Sequence, residues 1–283
     1  MKHRSLLELL QTRYPEHSKE RLYAAVLCGE VRVDDETVRD PKRRCSSGAE
    51  ITLGIRSAYV SRGGAKLEHA LSVLEFEVAD KVMLDAGSST GGFTDCLLQH
   101  GARAVHAVDV GYNQLSYRLR RDSRVVVHER TNIRAVTALH PPADRAVADL
   151  SFRSLLGVTG HIIDLTSEKL ALVLCKPQFE RMHLRGSWGT RSRAPERFDG
   201  VLRSLTEITA TVADTILKLE GENVMVRGAA PSNVAGRRGN QEIFLLVSRP
   251  EEKRPGATLG SAAYERARDA LIREIGTELS LRQ

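Results

Sequence analysis

Asp109, Asp149 and Lys176 each follow directly on an apolar run, in AVHAVDV, RAVADL and LALVLCK. Charged side chains at strand ends of an α/β sheet lie where ligands bind, so these positions are candidates for chemistry. A lysine directly after an apolar strand is costly to bury unless it is paired. Asp149 is the candidate partner, because adjoining strands would bring the two side chains together. The bland alternative is a surface ion pair of little energetic value.

The stretch Asp85 to Gly92, reading DAGSSTGG, supplies a ligand loop. It follows Lys81-Val-Met-Leu and precedes the helix-like run Phe93 to His100. A strand, a glycine-rich turn and a helix N-terminus together form the nucleotide-binding corner of such sheets. A dinucleotide loop needs a middle glycine for the pyrophosphate. Aligning Gly87 with the first glycine and Gly92 with the third puts Ser89 in that place. Asp85 also places negative charge where a pyrophosphate would be repelled. A cationic, phosphate-free nucleoside fits better, and S-adenosylmethionine is that kind of ligand. A purely structural tight turn would look similar. Asp109, 22 positions after Gly87, is placed to accept ribose hydroxyls; otherwise it is only a strand-end carboxylate. Asn132 could hydrogen-bond an adenine edge.

The elements that must hold these residues are legible as alternating patterns. Strands are predicted at 81–86, 104–109, 124–128, 144–149, 169–175, 222–228 and 242–248, with helices at 92–100, 113–121, 152–166 and 198–219. The alternation implies a parallel sheet covered by helices on both faces. Arg181 to Arg197 reads as a long polar loop containing Trp188, and Pro231 to Asn240 as a second loop. Helical spacing returns from Ala262 to Leu281. Residues 1–56 are different in character. A helix around Leu6 to Leu10 and a second from Lys19 to Cys28, capped by Ser18 and ended by Gly29, lead into strands at Val31–Val33 and Ile51–Ile55, with Asp35-Glu-Thr-Val as a turn. This arrangement resembles the small RNA-binding module named after ribosomal protein S-four, with Asp34-Asp35 in place of the commoner Asn-Gly.

The chain of 283 residues has a formal charge of +6 and a pI near 9.3, which suits a polyanionic partner without requiring one. Four cysteines without a CxxC pair read as reduced thiols, and nine scattered histidines show no metal-ligand spacing; no residue is assigned to a metal. The N-terminal segment alternates too soon with polar residues for an export signal, and the apolar runs are short for a membrane span. A soluble cytoplasmic protein is expected.

The strings YVSRGGAKL, DAGSSTGGFTDCLL, AVDVGYNQL, VADLSF, CKPQFE and GRRGNQEIFLL, in this order, closely resemble the TlyA family. Its members are ribosomal RNA 2′-O-methyltransferases, often labelled haemolysins, with an FtsJ/RrmJ-like catalytic domain. The resemblance runs to about Arg249. It implies a Rossmann-like, S-adenosylmethionine-dependent methyltransferase sheet behind an α+β RNA-binding module. The expected boundaries are 1–56 for the module, 57–66 for a linker, 67–249 for the methyltransferase domain and 250–283 for a tail. The resemblance further implies a catalytic tetrad of Lys66, Asp149, Lys176 and Glu242. Asp85, Gly87, Ser89, Gly91, Gly92 and Phe93 would wrap the cofactor's methionine part, with Asp109 on its ribose. After KPQFE, where the family continues with a valine- and glycine-rich segment, this chain has Arg181-Met-His-Leu-Arg-Gly-Ser-Trp.

Ribosomal RNA or ribosomal subunits are the implied partners, with cytidine the implied target; a 2′-hydroxyl distinguishes RNA from DNA. RNA contacts are expected from Lys19, Arg21, Arg62, Arg237 and Arg238, with further positive charge at Arg118, Arg120, Arg121, Arg124, Arg130 and Arg134. Three other readings compete: an NAD-dependent dehydrogenase on the same sheet, a membrane-damaging haemolysin, and a non-catalytic RNA-binding assembly factor. Ser89 and the tetrad count against the first, the absence of an inserting segment against the second, and the complete tetrad against the third.

Overall fold

The computed structural model describes residues 3–15, 17–27, 29–53, 59–151, 153–184, 198–250 and 259–281. The chain divides into two compact units, Met1–Ala58 and Tyr59–Gln283.

In the first unit β1 (His3–Ser5) leads into α1 (Leu6–Arg13), followed by α2 (Lys19–Leu27), β2 (Val31–Val33), β3 (Glu36–Val38), β4 (Arg44–Ser46) and β5 (Ile51–Leu53). Ser5 caps α1 through a reciprocal pair of bonds with Glu8, its side chain accepting from Glu8 N and its own backbone N–H reaching the Glu8 carboxylate. Leu6, Leu10, Leu22 and Val26 from the helices bury against Val31, Val33, Val38 and Ile51. Each such side chain contributes about 1.5–3 kcal/mol. Most of the segment expected as a turn is strand β3: Asp34 and Asp35 alone turn the chain, at φ 47° and 65°, and Glu36 pairs back onto Val33. Two left-handed residues match the twist of a tight hairpin, a geometry aspartate tolerates. Strand β1, unforeseen in the sequence, pairs antiparallel with β4.

The second unit opens with α3 (Arg62–Val73) and continues β6 (Val82–Ala86), α4 (Gly92–Gln99), β7 (Ala104–Val108), α5 (Tyr117–Arg120), β8 (Val125–His128), β9 (Arg145–Ala148), α6 (Thr159–Asp164), β10 (Leu170–Cys175), α7 (Pro177–Leu184), α8 (Leu205–Gly221), β11 (Met225–Pro231), β12 (Ile243–Ser248) and α9 (Ala262–Leu281). The seven strands lie in the order β11-β12-β10-β9-β6-β7-β8. Strands β6 to β10 run parallel, as expected, but β12 is antiparallel to both β10 and β11. The sheet is therefore mixed. No α-helix separates β11 from β12, only a short 3-10 turn at Arg237–Gly239, and a connection of that length suits an antiparallel pair. Leu84, Ala146, Val173 and Leu245 face one apolar layer with Ile162, Ile208 and Ile216, while Met83, Val105, Leu172 and Phe244 face another with Leu67, Leu71, Phe93 and Leu97.

Several predicted boundaries move. Residues 62–66, expected in a linker, form the first turns of α3. The predicted helix 152–166 shortens to α6, and 113–121 to α5. The strand predicted at 222–228 starts at Met225, because Glu222 caps α8 and Asn223 follows at φ 60°. Arg181 to Leu184, expected in a polar loop, belong to α7, whose first residue is Pro177. A proline at that position is a helix-start signal. Trp188 and the rest of that loop lie outside the described residues, as do Cys28 and Ile55.

Candidate active site

The carboxyl ends of β6, β7, β9 and β10 and the start of the antiparallel β12 share one edge of the sheet. That edge carries Gly87, Asp109, Asp149, Lys176 and Glu242. The register pairs Cys175 with Ile243, so Lys176 and Glu242 occupy facing positions just beyond the ladder.

The glycine loop is shaped by close approaches. Gly87 (φ 88°) abuts the carbonyl of Asp149, where a Cβ would press on backbone. Its N–H donates to Val108 O at 2.8 Å, and Asp149 N donates to Ala86 O at 3.0 Å. Gly91 (φ 94°) forms the entry to α4. Gly92 touches Ser61 and Gly64 on the start of α3, and a methyl group there would collide with Ser61 Oγ. Gly92 lets α3, and Lys66 with it, lie directly against the loop, while Gly91 makes room for Leu115 and Leu119. Phe93 is buried, 5.9 Å between ring centroids from Phe244.

Three aspartates line this end of the sheet. Asp109 accepts from Ser89 N at 2.8 Å through Oδ2 and from Gly111 N at 2.6 Å through Oδ1. Its carboxylate is thereby fixed between the glycine loop and the turn after β7. Asp85 is fully buried; Oδ2 accepts from Thr94 Oγ1 at 2.6 Å, and Oδ1 has no hydrogen-bond partner. Burial pushes the Asp85 carboxyl up to about 7, the Thr94 hydroxyl opposes the rise, and the charge of Asp149 adds to it. A fully buried carboxyl oxygen without a donor, beside two further carboxylates, favours a positively charged ligand. The loop residues thus fit a sulfonium nucleoside and oppose a pyrophosphate. Asn132 uses its side-chain oxygen to cap the turn at Ile133–Ala135, accepting from Arg134 N at 3.1 Å.

The four proposed tetrad members form two ion pairs. Lys66 Nζ on α3 lies 2.6 Å from Glu242 Oε2 and donates to it. Lys176 Nζ lies 2.5 Å from Asp149 Oδ1. That second contact is an ion pair without hydrogen-bond alignment, since Asp149 Oδ1 has no hydrogen-bond partner. The aligned bond from Lys176 goes to Ser151 Oγ at 3.1 Å. Ser151 was missed in the sequence, although it stands two residues after Asp149 in VADLSF. Glu180, one helical turn after Lys176, was missed too: it accepts from Ser154 Oγ at 2.6 Å and from Leu155 N at 2.9 Å. Burial raises its carboxyl to about 7, with both bonds opposing the rise. Glu242 is enclosed by the loop before β12, where Gly236 leaves no room for a Cβ beside Oε1.

The residues expected to meet RNA are less uniform. Lys19 and Arg62 are exposed. Arg238 is exposed at φ 61° and donates to Asp199 O at 2.7 Å. The side chains of Arg21 and Arg237 lie outside the described residues. Within the arginine cluster, Arg118 pairs with Asp95, Arg120 with Glu129 and Arg124 with Asp122, so half of its charge is locally neutralised. Arg130 lies over the exposed Tyr112 ring, 4.0 Å from its centroid. Among the described residues no helix is long and apolar enough to cross a membrane.

A glycine loop, a fixed aspartate after the next strand and a terminal antiparallel hairpin define a Rossmann-like methyltransferase. A family model described as FtsJ-like methyltransferase matches residues 59–208. The protein YqxC of Bacillus subtilis is 39% identical over 264 residues, covering 89% of this chain and 88% of its own. The 16S/23S rRNA (cytidine-2′-O)-methyltransferase TlyA of Mycobacterium tuberculosis is 44% identical over 168 residues, 58% of this chain and 63% of that protein. A solved structure from Streptococcus thermophilus, labelled a hemolysin, superimposes with a TM-score of 0.65 at 28% identity, covering 100% of this chain and 98% of that one. The chain belongs to the TlyA family of FtsJ-like methyltransferases.

Proposed function

We propose that this protein transfers a methyl group from S-adenosylmethionine to the ribose 2′-hydroxyl of a cytidine in ribosomal RNA, in the cytoplasm. The observation that carries the reading is the meeting of two lysine–carboxylate pairs with an aspartate-lined glycine loop at one sheet edge. The substrate follows the relative from Mycobacterium tuberculosis, named for cytidine-2′-O methylation of 16S and 23S rRNA.

S-adenosylmethionine, when bound, supplies a sulfonium methyl electrophile and keeps the electron pair of the S–C bond that breaks. The protein supplies position and proton removal. The Lys176 ammonium first releases a proton to solvent beside the partly exposed Asp149; the resulting amine takes the hydroxyl proton as the 2′-O–H bond breaks and the O–CH3 bond forms at the same oxygen. Asp149 holds the amine by charge. Lys66 and Glu242 hold the ribose. Asp85, Gly87, Ser89, Gly91, Gly92 and Phe93 enclose the methionine part, Asp109 accepts the ribose hydroxyls, and the Asn132 amide N–H groups serve the adenine edge. Lys19, Arg21, Arg62, Arg237 and Arg238 meet RNA phosphates, with residues 1–56 acting as the RNA-binding module.

The test is incubation of the purified protein with labelled S-adenosylmethionine and unmodified ribosomal subunits, followed by mapping of ribose methylation. A methyl group on a cytidine 2′-oxygen is expected. Label found on a base, or on no RNA, would overturn the reading.

A further inference from the structure

A proton acceptor must aim its lone pair at the proton it takes. A lysine amine turns freely about its last bond unless something holds it. Lys176 Nζ is buried at the site edge with Asp149 Oδ1 at 2.5 Å and the Phe179 ring centroid at 5.9 Å. Neither contact fixes rotation, because the carboxylate is not aligned as a hydrogen-bond acceptor and the ring is distant. Among the described residues, Ser151 Oγ is the aligned acceptor of that amine, at 3.1 Å. Once the ion-paired ammonium has released a proton, the neutral amine has two N–H groups and one lone pair. With one N–H held by Ser151 and the other drawn toward Asp149, the lone pair is left the remaining direction.

We infer that Ser151 is a positioning residue: its hydroxyl orients the Lys176 amine so that the lone pair faces the substrate oxygen, while Asp149 supplies charge rather than direction. This rests on the proposed ribose methylation. The segment carrying Ser151 is itself latched to α7. Glu180 Oε2 accepts from Ser154 Oγ at 2.6 Å, Oε1 from Leu155 N at 2.9 Å, and Ser154 Oγ accepts from Leu156 N at 3.0 Å. Glu180 N in turn donates to Lys176 O at 3.2 Å. One helical turn therefore grips the segment at both ends, through Lys176 near its start and Glu180 near its end. Ser151 is itself solvent-exposed, so removing its hydroxyl opens no cavity in the core and takes from Lys176 its aligned bond while leaving the ion pair with Asp149.

Ser151→Ala and Ser151→Thr are compared with the unaltered protein in single-turnover methyl transfer, with S-adenosylhomocysteine affinity and melting temperature measured alongside. The alanine variant should lose about tenfold to a hundredfold in kcat, the scale of one misdirected catalytic contact, with KM for RNA unchanged. Affinity for the product nucleoside and melting temperature should not move, and threonine should restore most of the rate. An unchanged kcat, a loss that threonine leaves unrepaired, or a rise in KM would overturn the assignment. A second readout needs no RNA: the 1H–15N signals of the lysine amines. Ser151→Ala should shift or broaden the Lys176 signal and spare that of Lys66, which is bonded to Glu242; an unmoved Lys176 signal would sink the inference. Failure of the unaltered protein to methylate ribosomal RNA, with the amine signal still responding to Ser151, would strike the function and leave the orientation standing.

Discussion

Lys66 and Lys176 each meet one carboxylate within 2.6 Å at the same sheet edge, yet their surroundings differ. The Lys66–Glu242 pair is sealed, with side chains 12% and 4% exposed, an aligned hydrogen bond, and Gly236 packed on the carboxylate. In the other pair Lys176 is 9% exposed but Asp149 is 27% exposed, and the aligned bond goes to Ser151 instead. A sealed, aligned pair is not poised to take a substrate proton; it joins α3 to β12 and suits a positioning part, as in the proposed hold on the ribose. The open pair keeps a lysine whose charge is balanced but whose hydrogen bonds are incompletely committed. Its opening to solvent lets the ammonium release a proton and then accept one from the substrate.

The largest expected effect follows from this difference. Lys176→Ala should bring methyl transfer down by at least about 10²–10⁴-fold, the range a positioned acid–base group supplies, while cofactor affinity measured by calorimetry hardly changes. Methyl incorporation surviving that change would remove Lys176 from the chemistry. Stability should rank the pairs the other way round. Glu242→Ala strands Lys66 in a closed environment and should cost about 3–5 kcal/mol in urea unfolding. Asp149→Ala should cost less, on the order of 1–2 kcal/mol, because Lys176 keeps Ser151 and lies beside an opening to water. Equal costs would mean that the two pairs are not distinct.

The parts of this comparison were unequally legible in the sequence. The parallel strands and the ends at Asp109, Asp149 and Lys176 could be read because buried parallel strands are continuous apolar runs with charges at their ends. Lys66 and Glu242, 176 residues apart, came only with the family resemblance; no local pattern joins a helix start to a strand start across the sheet. The antiparallel β12 had a signal that the alternation rule concealed, namely the lack of an α-helix before it. Ser151 and Glu180 had none beyond nearness to Asp149 and Lys176, since their value lies in which loop folds back on which helix. Pro177 marked α7 plainly, but the arginines that follow suggested a loop.

A third carboxylate extends the comparison. Asp85 is more deeply buried than Glu242 or Asp149 and has no lysine. Its carboxyl is raised from 3.8 to about 7, chiefly by burial. Between those two values the folded chain holds a proton that the unfolded chain has released, so this group's contribution to stability is full below about pH 4, falls as pH rises, and levels off above about 7. Glu180, raised to about 7 from 4.5, acts with the same sign. In cofactor-free protein Asp85→Asn should flatten that part of the profile. It should stabilise the fold at pH 8 relative to pH 4 by an amount on the order of 2–4 kcal/mol, read from paired urea titrations. A variant whose stability tracks the unaltered protein at both pH values would show that Asp85 is ionised in the fold and that burial is offset by something else.

Gly236 and Gly239 give the finest discrimination between brace and chemistry. Both lie in the loop that leads into Glu242. A Cβ on Gly236 would meet Glu242 Oε1, whereas one on Gly239 meets nothing but must be carried at φ 78°. The two alanine variants should therefore cost similar small amounts of stability, about 1 kcal/mol each, for different reasons: displacement of a carboxylate in one and backbone strain in the other. If Lys66–Glu242 holds the ribose in register with Lys176, only Gly236→Ala should slow methyl transfer, because only it moves the carboxylate that aligns Lys66. Matching rates in the two variants would confine the sealed pair to structural bracing and leave the ribose to be held by other groups.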